Sequence, residues 1–274
     1  MIFTKMQSLG NDFLILNCFD EVNEIDEKLP VTICDRHFGI GADGLALVLY
    51  SNDADIKVDF YSPDGIKTVC NTNLLRCVAK YALDNKIVNK SVISVSTDNG
   101  VKYVQVSDDN SFVVNIGEPV FTPQLIPVDY TDSEFIEKVI SVGAMDYVVS
   151  CVSINSNPCA VIFVNNTEEL NDFELNKVSP FLEKHHYFPN NTNIILANIK
   201  DFNSMQVRCW QINMGEAIGC DFGATAAFVV AQSLGKVDDN IVCELLGGDM
   251  TLQISEDNFA YTSAKAESVF EINW

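Results

Sequence analysis

Cys70-Asn71-Thr72-Asn73 runs directly into Leu74-Leu75-Arg76-Cys77-Val78-Ala79-Lys80-Tyr81. In the second half of the chain, Cys220-Asp221-Phe222-Gly223 runs into Ala224-Thr225-Ala226-Ala227-Phe228 in the same way. Each half places a cysteine in a short polar loop that opens a helix. Each loop follows turn-forming residues, Ser62-Pro63-Asp64-Gly65 in the first half and Gly215-Glu216 in the second. Asn71 and Asp221 suit such openings because their side-chain oxygens accept hydrogen bonds from the unpaired N–H groups of a first helical turn. Working outward, helical periods are read at residues 73–83, 133–140, 172–185 and 223–234. Short β-type runs fill the rest, among them Phe13-Leu14-Ile15-Leu16, Ala46-Leu47-Val48-Leu49, Val92-Ile93-Ser94-Val95, Val113-Val114-Asn115-Ile116 and Ala160-Val161-Ile162-Phe163. Each is bounded by Asp, Asn, Gly or Pro, as strand ends usually are. Strand-rich halves with a couple of helices apiece predict an α+β layout rather than strict βαβ alternation. Gly117-Glu118-Pro119-Val120-Phe121-Thr122-Pro123 reads as the linker between them.

The chain has 274 residues, with 17 Lys+Arg against 38 Asp+Glu and a formal net charge of -21. Such a balance argues against nucleic acid and anionic membranes as partners, because affinity for phosphates comes from clustered cations. With 47% hydrophobic and 20% charged residues the chain buries a core, and its length predicts one large or two medium domains. The nine cysteines are odd in number and irregularly spaced, and the N-terminal residues lack a long apolar stretch. The expectation is a cytoplasmic protein with reduced thiols. No apolar run approaches the roughly 18 residues of a membrane span. Neither repeated Cys-x-x-Cys spacing nor the three histidines suggest a metal, and no cofactor is predicted. A cysteine at a helix N-terminus is favoured as a thiolate by unpaired N–H groups and the helix dipole. Two such loops facing each other would set an acid and a base on opposite sides of one carbon, the arrangement that moves a proton between faces. Two ordinary helix caps are the alternative.

Further stretches carry a specific likeness: Leu9-Gly10-Asn11-Asp12-Phe13, then Cys34-Asp35-Arg36-His37-Phe38-Gly39-Ile40-Gly41-Ala42-Asp43-Gly44, then Asp64-Gly65, Arg76-Cys77, Asn157-Pro158, Phe188-Pro189, and Gly215-Glu216 followed by Cys220. With these the chain resembles the diaminopimelate epimerases, cofactor-independent isomerases, over most of its length. The resemblance implies two pseudo-symmetric α+β domains, each a β-barrel-like sheet around a central helix, with the active site between them. It implies a first domain of residues 1–117 plus 263–274 and a second of 118–262. It also implies a small-molecule substrate and leaves homodimerisation open.

In that family two cysteines, one per domain, act as thiolate base and thiol acid, within Cys-Gly-Asn-Gly-x-Arg-Cys and Gly-Glu-Thr-x-x-Cys-Gly-Thr-Gly loops. Counting without gaps from Arg76-Cys77 or from Asp64-Gly65, the first catalytic position falls on Asn71, with Cys70 one residue early. Asn73 keeps its place, while Thr72 and Leu74 replace the loop's glycines. Cys220 matches the second catalytic cysteine, but Gly-Thr-Gly has become Asp221-Phe222-Gly223 and Ala217 stands for the Thr after Gly-Glu. Asparagine has no proton that titrates near neutrality, so Asn71 cannot serve as a general acid or base. Asp221 adds a negative charge that opposes both a thiolate at Cys220 and an anionic ligand, and it is expected to cap the helix. Gln211 and Ile212 align with the family's substrate-reading Glu-Arg pair. Gly44 stands for a Gln, Ser62 for an Asn and Cys159 for a His.

The candidate catalytic residues are therefore Cys220, Cys70, Asn71 and Asp221. The candidate substrate-binding residues are Asn11, Ser62, Asn73, Asn157, Asn193, Gln211, Glu216, Phe222 and Gly223. The asparagines can equally hold loops through side-chain to backbone hydrogen bonds. Asp35, Arg36 and His37 read as structural, and Cys18, Cys34, Cys77, Cys151, Cys209 and Cys243 as core. Three functions stay open: a racemase or epimerase acting on a substrate other than diaminopimelate; a one-base lyase, double-bond isomerase or cyclase on a less polar substrate; and a non-catalytic ligand-binding relative.

Overall fold

The computed structural model describes residues 1–19, 26 and 28–274 and divides into two units, Met1–Val114 with Ser263–Trp274, and Asn115–Thr262. The chain first forms β1 (Ile2–Ser8), β2 (Asn11–Asn17), α1 (Lys28–Cys34), β3 (Leu45–Leu49), β4 (Ile56–Tyr61), β5 (Lys67–Thr68), α2 (Thr72–Asp84), β6 (Val92–Thr97), β7 (Gly100–Val106) and β8 (Phe112–Gly117). It continues with β9 (Lys138–Val142), β10 (Met145–Ile154), β11 (Asn157–Val164), α3 (Thr167–Asp172), α4 (Leu175–Leu182), β12 (Asn193–Asp201), β13 (Ser204–Gln211) and β14 (Gly215–Ala217). It ends with α5 (Asp221–Ser233), β15 (Asn240–Leu245), β16 (Gly248–Ile254), β17 (Ala260–Ala264) and β18 (Glu267–Asn273), the last of which belongs to the first unit.

Within the first unit β18, β1 and β2 pair antiparallel, β2 and β3 parallel, β3 and β4 antiparallel, β4 and β6 parallel, and β6, β7 and β8 antiparallel. The second unit repeats the order: β9, β10 and β11 antiparallel, β11 and β12 parallel, β12 and β13 antiparallel, β13 and β15 parallel, β15 and β16 antiparallel. Each unit also divides one strand edge between two partners. Ile56 and Lys57 of β4 face β6, whereas Phe60 and Tyr61 face β5. Likewise Ser204, Met205 and Gln206 of β13 face β15, whereas Cys209, Trp210 and Gln211 face β14. The chain leaves each short strand, β5 or β14, and enters a 13-residue helix, α2 or α5. Asn71 and Cys220 are the N-caps of those helices, so they occupy equivalent places in the repeat.

The turns that place Asn11 and Asn157 are equivalent too. Leu9 and Gly10, at φ 51° and 81°, connect β1 to β2, and Asn155 and Ser156, at φ 48° and 64°, connect β10 to β11. Two successive left-handed residues match the twist of the flanking strands, which is why such turns close two-residue hairpins.

Helix α2 packs against β18, β1 and β2 at one end of its sheet and against β6 and β7 towards the other, so the sheet curves around it. Its inward face, with Leu74, Leu75, Val78 and Ala82, joins Phe13, Ile15, Phe60, Ile93 and Val104 in one core. Helix α5 packs against β10, β11, β12, β13 and β16. It is buried nearly all round, a position that its alanines and valines suit. Among the described residues no helix is long and apolar enough to cross a membrane.

Two predicted helices differ. Residues 133–140 are not helical: Phe135 joins the rings of Tyr130 and Tyr187, with centroids 4.8 Å and 5.2 Å away, and Lys138–Val142 becomes β9 with Ile140 opposite Tyr147. The 172–185 period is helical only over α4, because Phe173 takes up an extended backbone at φ −64°, ψ 120°, and α3, which ends at Asp172, is a helix not predicted from the sequence. The carbonyls of Leu170, Asn171 and Phe173 there accept from Arg208 Nη1 at 2.7, 3.2 and 3.1 Å. The candidate linker is tied into the second unit through Val120, whose N–H and carbonyl bond to Ser153 at 3.0 and 2.8 Å.

Candidate active site

In the first unit Asn71 is committed to its helix: its Oδ1 accepts from Leu74 N at 2.8 Å. Cys70 packs against the hydrophobic core beside α2. Burial pushes its thiol up to about 12, with the Asp98 and Asp59 carboxylates adding to the effect. Ser62 Oγ bonds Asp64 and, at 3.0 Å, the Ile66 carbonyl, which closes the turn before β5.

Asn11 and Asn73 are brought together. Asn73 Nδ2 donates to Asn11 Oδ1 at 2.6 Å, Asn11 Nδ2 donates to Asp43 Oδ2 at 3.2 Å, and Arg76 Nη1 donates to Asn73 Oδ1 at 2.7 Å. An acceptor-only carboxylate at one end and a donor-only guanidinium at the other fix which way both amides face. The carboxylate end is anchored by Arg36, which donates to Asp12 at 3.0 and 2.6 Å and to Asp43 at 2.7 Å. Lys5 Nζ lies 2.8 Å from Asp12.

Burial disfavours the Asp12 carboxylate, but hydrogen bonds from Arg36 and Lys5 prevail and hold it below its ordinary 3.8. Its pKa is lower folded than unfolded, so its stabilisation is fully present above the unfolded value and is lost as pH falls through the folded one. A melting-temperature titration into acid is therefore expected to decline less steeply for Asp12→Asn than for the wild type. Equal slopes would contradict this reading of the network.

In the second unit Asn193 is spent on backbone: Nδ2 donates to the Pro158 carbonyl at 2.8 Å and Oδ1 accepts from Ile212 N at 3.1 Å. Asn157 Nδ2 donates to the carbonyls of Ile154 and Asn155 at 3.2 and 3.0 Å. Gln211, half-buried, pairs with Gly215 across the turn into β14. Glu216 takes two bonds from Arg208, at 2.7 and 3.1 Å, so the guanidinium that ends α3 also holds β14.

Cys220 stands at the start of α5 with φ −149°, ψ 88°, and its side chain makes no capping bond. It is only 2% exposed. The capping position expected for Asp221 is thus occupied by Cys220. Asp221 is instead the first helical residue, buried, with Oδ2 accepting from Thr262 Oγ1 at 3.1 Å. Phe222 is half-buried. Gly223 is where side chains converge: a Cβ there would lie 2.5 Å from Cys209 Sγ, 2.8 Å from Ile195 Cδ1 and 2.9 Å from Cys220 Sγ. Cys209, read from the sequence as a core thiol, brings its sulfur to the same point beside Gly223 as the sulfur of Cys220. The register of β13 against β14, which sets Cys209 opposite Ala217, brings this about. No local sequence signal announces that register.

A family model described as diaminopimelate epimerase matches residues 3–122 and 152–269. The chain is 36% identical over 276 residues to the diaminopimelate epimerase of Methanococcus maripaludis, covering 99% of this chain and 98% of that one. It is 37% identical over 283 residues to that of Agathobacter rectalis, covering 98% of each. Among solved structures, a Bacillus anthracis phenazine biosynthesis protein of the PhzF family is similar at TM-score 0.73 and 13% identity, covering 99% of this chain and 98% of that one. A probable proline racemase from Agrobacterium radiobacter K84 is similar at TM-score 0.65 and 11% identity, covering 100% and 92%. At those identities the structural likeness is one of fold.

Proposed function

This chain belongs to the diaminopimelate epimerase family, and on that premise we propose that it is a cofactor-independent isomerase that moves a proton with a single thiol, Cys220, on a substrate other than diaminopimelate. The observation that carries the reading is the equivalence of the two N-caps, cysteine on α5 and asparagine on α2. Proton transfer to both faces of a carbon needs a titratable group on each side. Asn71 supplies none, and its amide oxygen already serves Leu74 N. Cys70 is a weak substitute, since its thiol is packed against the core and pushed up to about 12.

One thiol that takes a proton and returns it on the same face gives exchange with solvent, or a shift of the proton to a neighbouring unsaturated carbon. It does not invert a stereocentre. The substrate part of the proposal rests on Gln211 and Ile212, which stand where the family has a charged pair, and on Gly44, Ser62 and Cys159. An isoleucine offers no hydrogen bond or charge to a carboxylate, and burying such a group without a partner is costly.

The test is proton exchange in heavy water, followed by proton NMR over a panel of amino acids and unsaturated acids that includes LL-diaminopimelate. Wild type and Cys70→Ala are expected to exchange a common substrate at similar rates, and Cys220→Ala to lose about 10²–10⁴ in rate. Epimerisation of LL-diaminopimelate by the wild type would overturn the substrate reading. Unchanged exchange in Cys220→Ala would overturn the assignment of the thiol.

A further inference from the structure

Cys209 and Cys220 are far less independent than their places in the sequence suggest. Cys209 is fixed within β13, opposite Ile195 of β12 on one side and Ala217 of β14 on the other. Cys220 is fixed by its helix. Both sulfurs converge on the open side of Gly223, at 2.5 and 2.9 Å from the point where a Cβ would stand. The next thiol in the neighbourhood, Cys159, sits opposite Asn193 on β11, so β12 separates it from the strand that carries Cys209.

We propose that Cys209 and Cys220 are a reversible disulfide pair, in which Cys209 resolves an oxidised Cys220. Peroxide is the oxidant class. The Cys220 sulfur attacks one peroxide oxygen, the O–O bond breaks, a sulfenic acid forms on Cys220 and one water leaves. The Cys209 sulfur then attacks the Cys220 sulfur, the S–O bond breaks, the S–S bond forms, and the Cys209 proton departs with the hydroxyl as a second water. Two thiols and one hydrogen peroxide give one disulfide and two waters, and the two electrons pass from sulfur to oxygen. The order of events follows from the pair's surroundings. The neighbouring Cys220 thiol, then burial, with Cys159 and Cys243 adding to the effect, pushes the Cys209 thiol pKa up and keeps its proton in place, so Cys209 enters as the resolving thiol. Two charged residues flank the pair in sequence: Asp221, next to Cys220, whose carboxylate accepts from Thr262, and Arg208, next to Cys209, whose guanidinium donates to Glu216.

Disulfide formation does not depend on the function proposed above. Only the accompanying loss of activity rests on that reading, because a disulfide-bonded Cys220 has no proton to carry. The full-length protein is to be treated with a small excess of hydrogen peroxide, blocked with an alkylating agent, digested without reduction and mapped by mass spectrometry. The expected product is a Cys209–Cys220 linked peptide pair that dithiothreitol reverses. Cys209→Ser is expected to let Cys220 pass on to the sulfinic acid about tenfold more readily than wild type. Cys220 linked to Cys159, Cys220 over-oxidised equally in both proteins, or both thiols left unmodified would each overturn the proposal. The wild-type peptide map decides the pairing whether or not the variant folds. A linked pair without loss of exchange would instead count against the role of Cys220 in the reaction.

Discussion

Asn71→Cys is expected to make the protein invert a stereocentre at which the wild type only exchanges a proton. The substitution puts a thiol at the N-cap of α2, the place equivalent to Cys220 on α5. There the first-turn N–H groups and the helix dipole favour a thiolate. If the chain keeps the two-thiol arrangement that the family resemblance implies, the added acid–base group is worth about 10²–10⁴ in rate, so inversion should rise from background by that order. The variant gives up the bond from Leu74 N to Asn71 Oδ1, at a cost of about 1 kcal/mol in stability. Asn71→Ser keeps a capping oxygen and adds no useful acid, so it should hold stability and invert nothing. Chiral chromatography of recovered substrate checks both variants. Inversion by Asn71→Ser, or none by a folded Asn71→Cys, would count against the equivalence of the two caps.

The largest effect on stability is expected at Arg76. This side chain is fully buried on α2, with Nη1 on Asn73 Oδ1 at 2.7 Å and Nε on the Phe112 carbonyl at 3.2 Å. Arg76→Leu fills much of the volume but strips those acceptors of a donor inside the core. Each buried acceptor left unmet costs about 1–3 kcal/mol, so the two together cost about 2–6 kcal/mol. That is a large part of the 5–15 kcal/mol or so by which folded domains are stable. The change also removes the donor that orients Asn73, and through it Asn11. Urea denaturation measures the loss, and a decrease below about 1 kcal/mol would contradict this account of the buried guanidinium.

Local signals located both central helices. Asn71 precedes an amphipathic period, and Ala224 to Ala231 is an apolar run with an uncharged face all round. The quoted β-type runs became strands for the same reason, since short apolar segments between turn residues have few other outlets. Long-range partners decided what was misread. Residues 133–140 have apolar spacing compatible with a helix or a strand, and an aromatic cluster formed with Tyr187 tipped the balance. The break between α3 and α4 is enforced by Arg208, which comes from β13. Asp221 looked like a cap but its carboxylate meets Thr262 across 41 residues of sequence.

The candidate site divides similarly. The offset of Asn71 from the family's cysteine could be counted from Arg76-Cys77, whereas its standing as N-cap of α2, as Cys220 is of α5, needed the structure. That Asn157 and Asn193 serve backbone, that Asn11 and Asn73 form one polarised chain, and that Cys209 lies against Cys220 depend on strand register. Residue spacing does not encode register on its own.

The central claim is that one thiol carries the proton. Its most direct test is the optical purity of substrate recovered from the wild-type protein in heavy water, at the point where deuterium incorporation is complete. The account predicts deuterated substrate of the original handedness, or a deuterated double-bond isomer. Deuterated substrate of mixed handedness would contradict it, because a second acid–base group would then have to stand opposite Cys220.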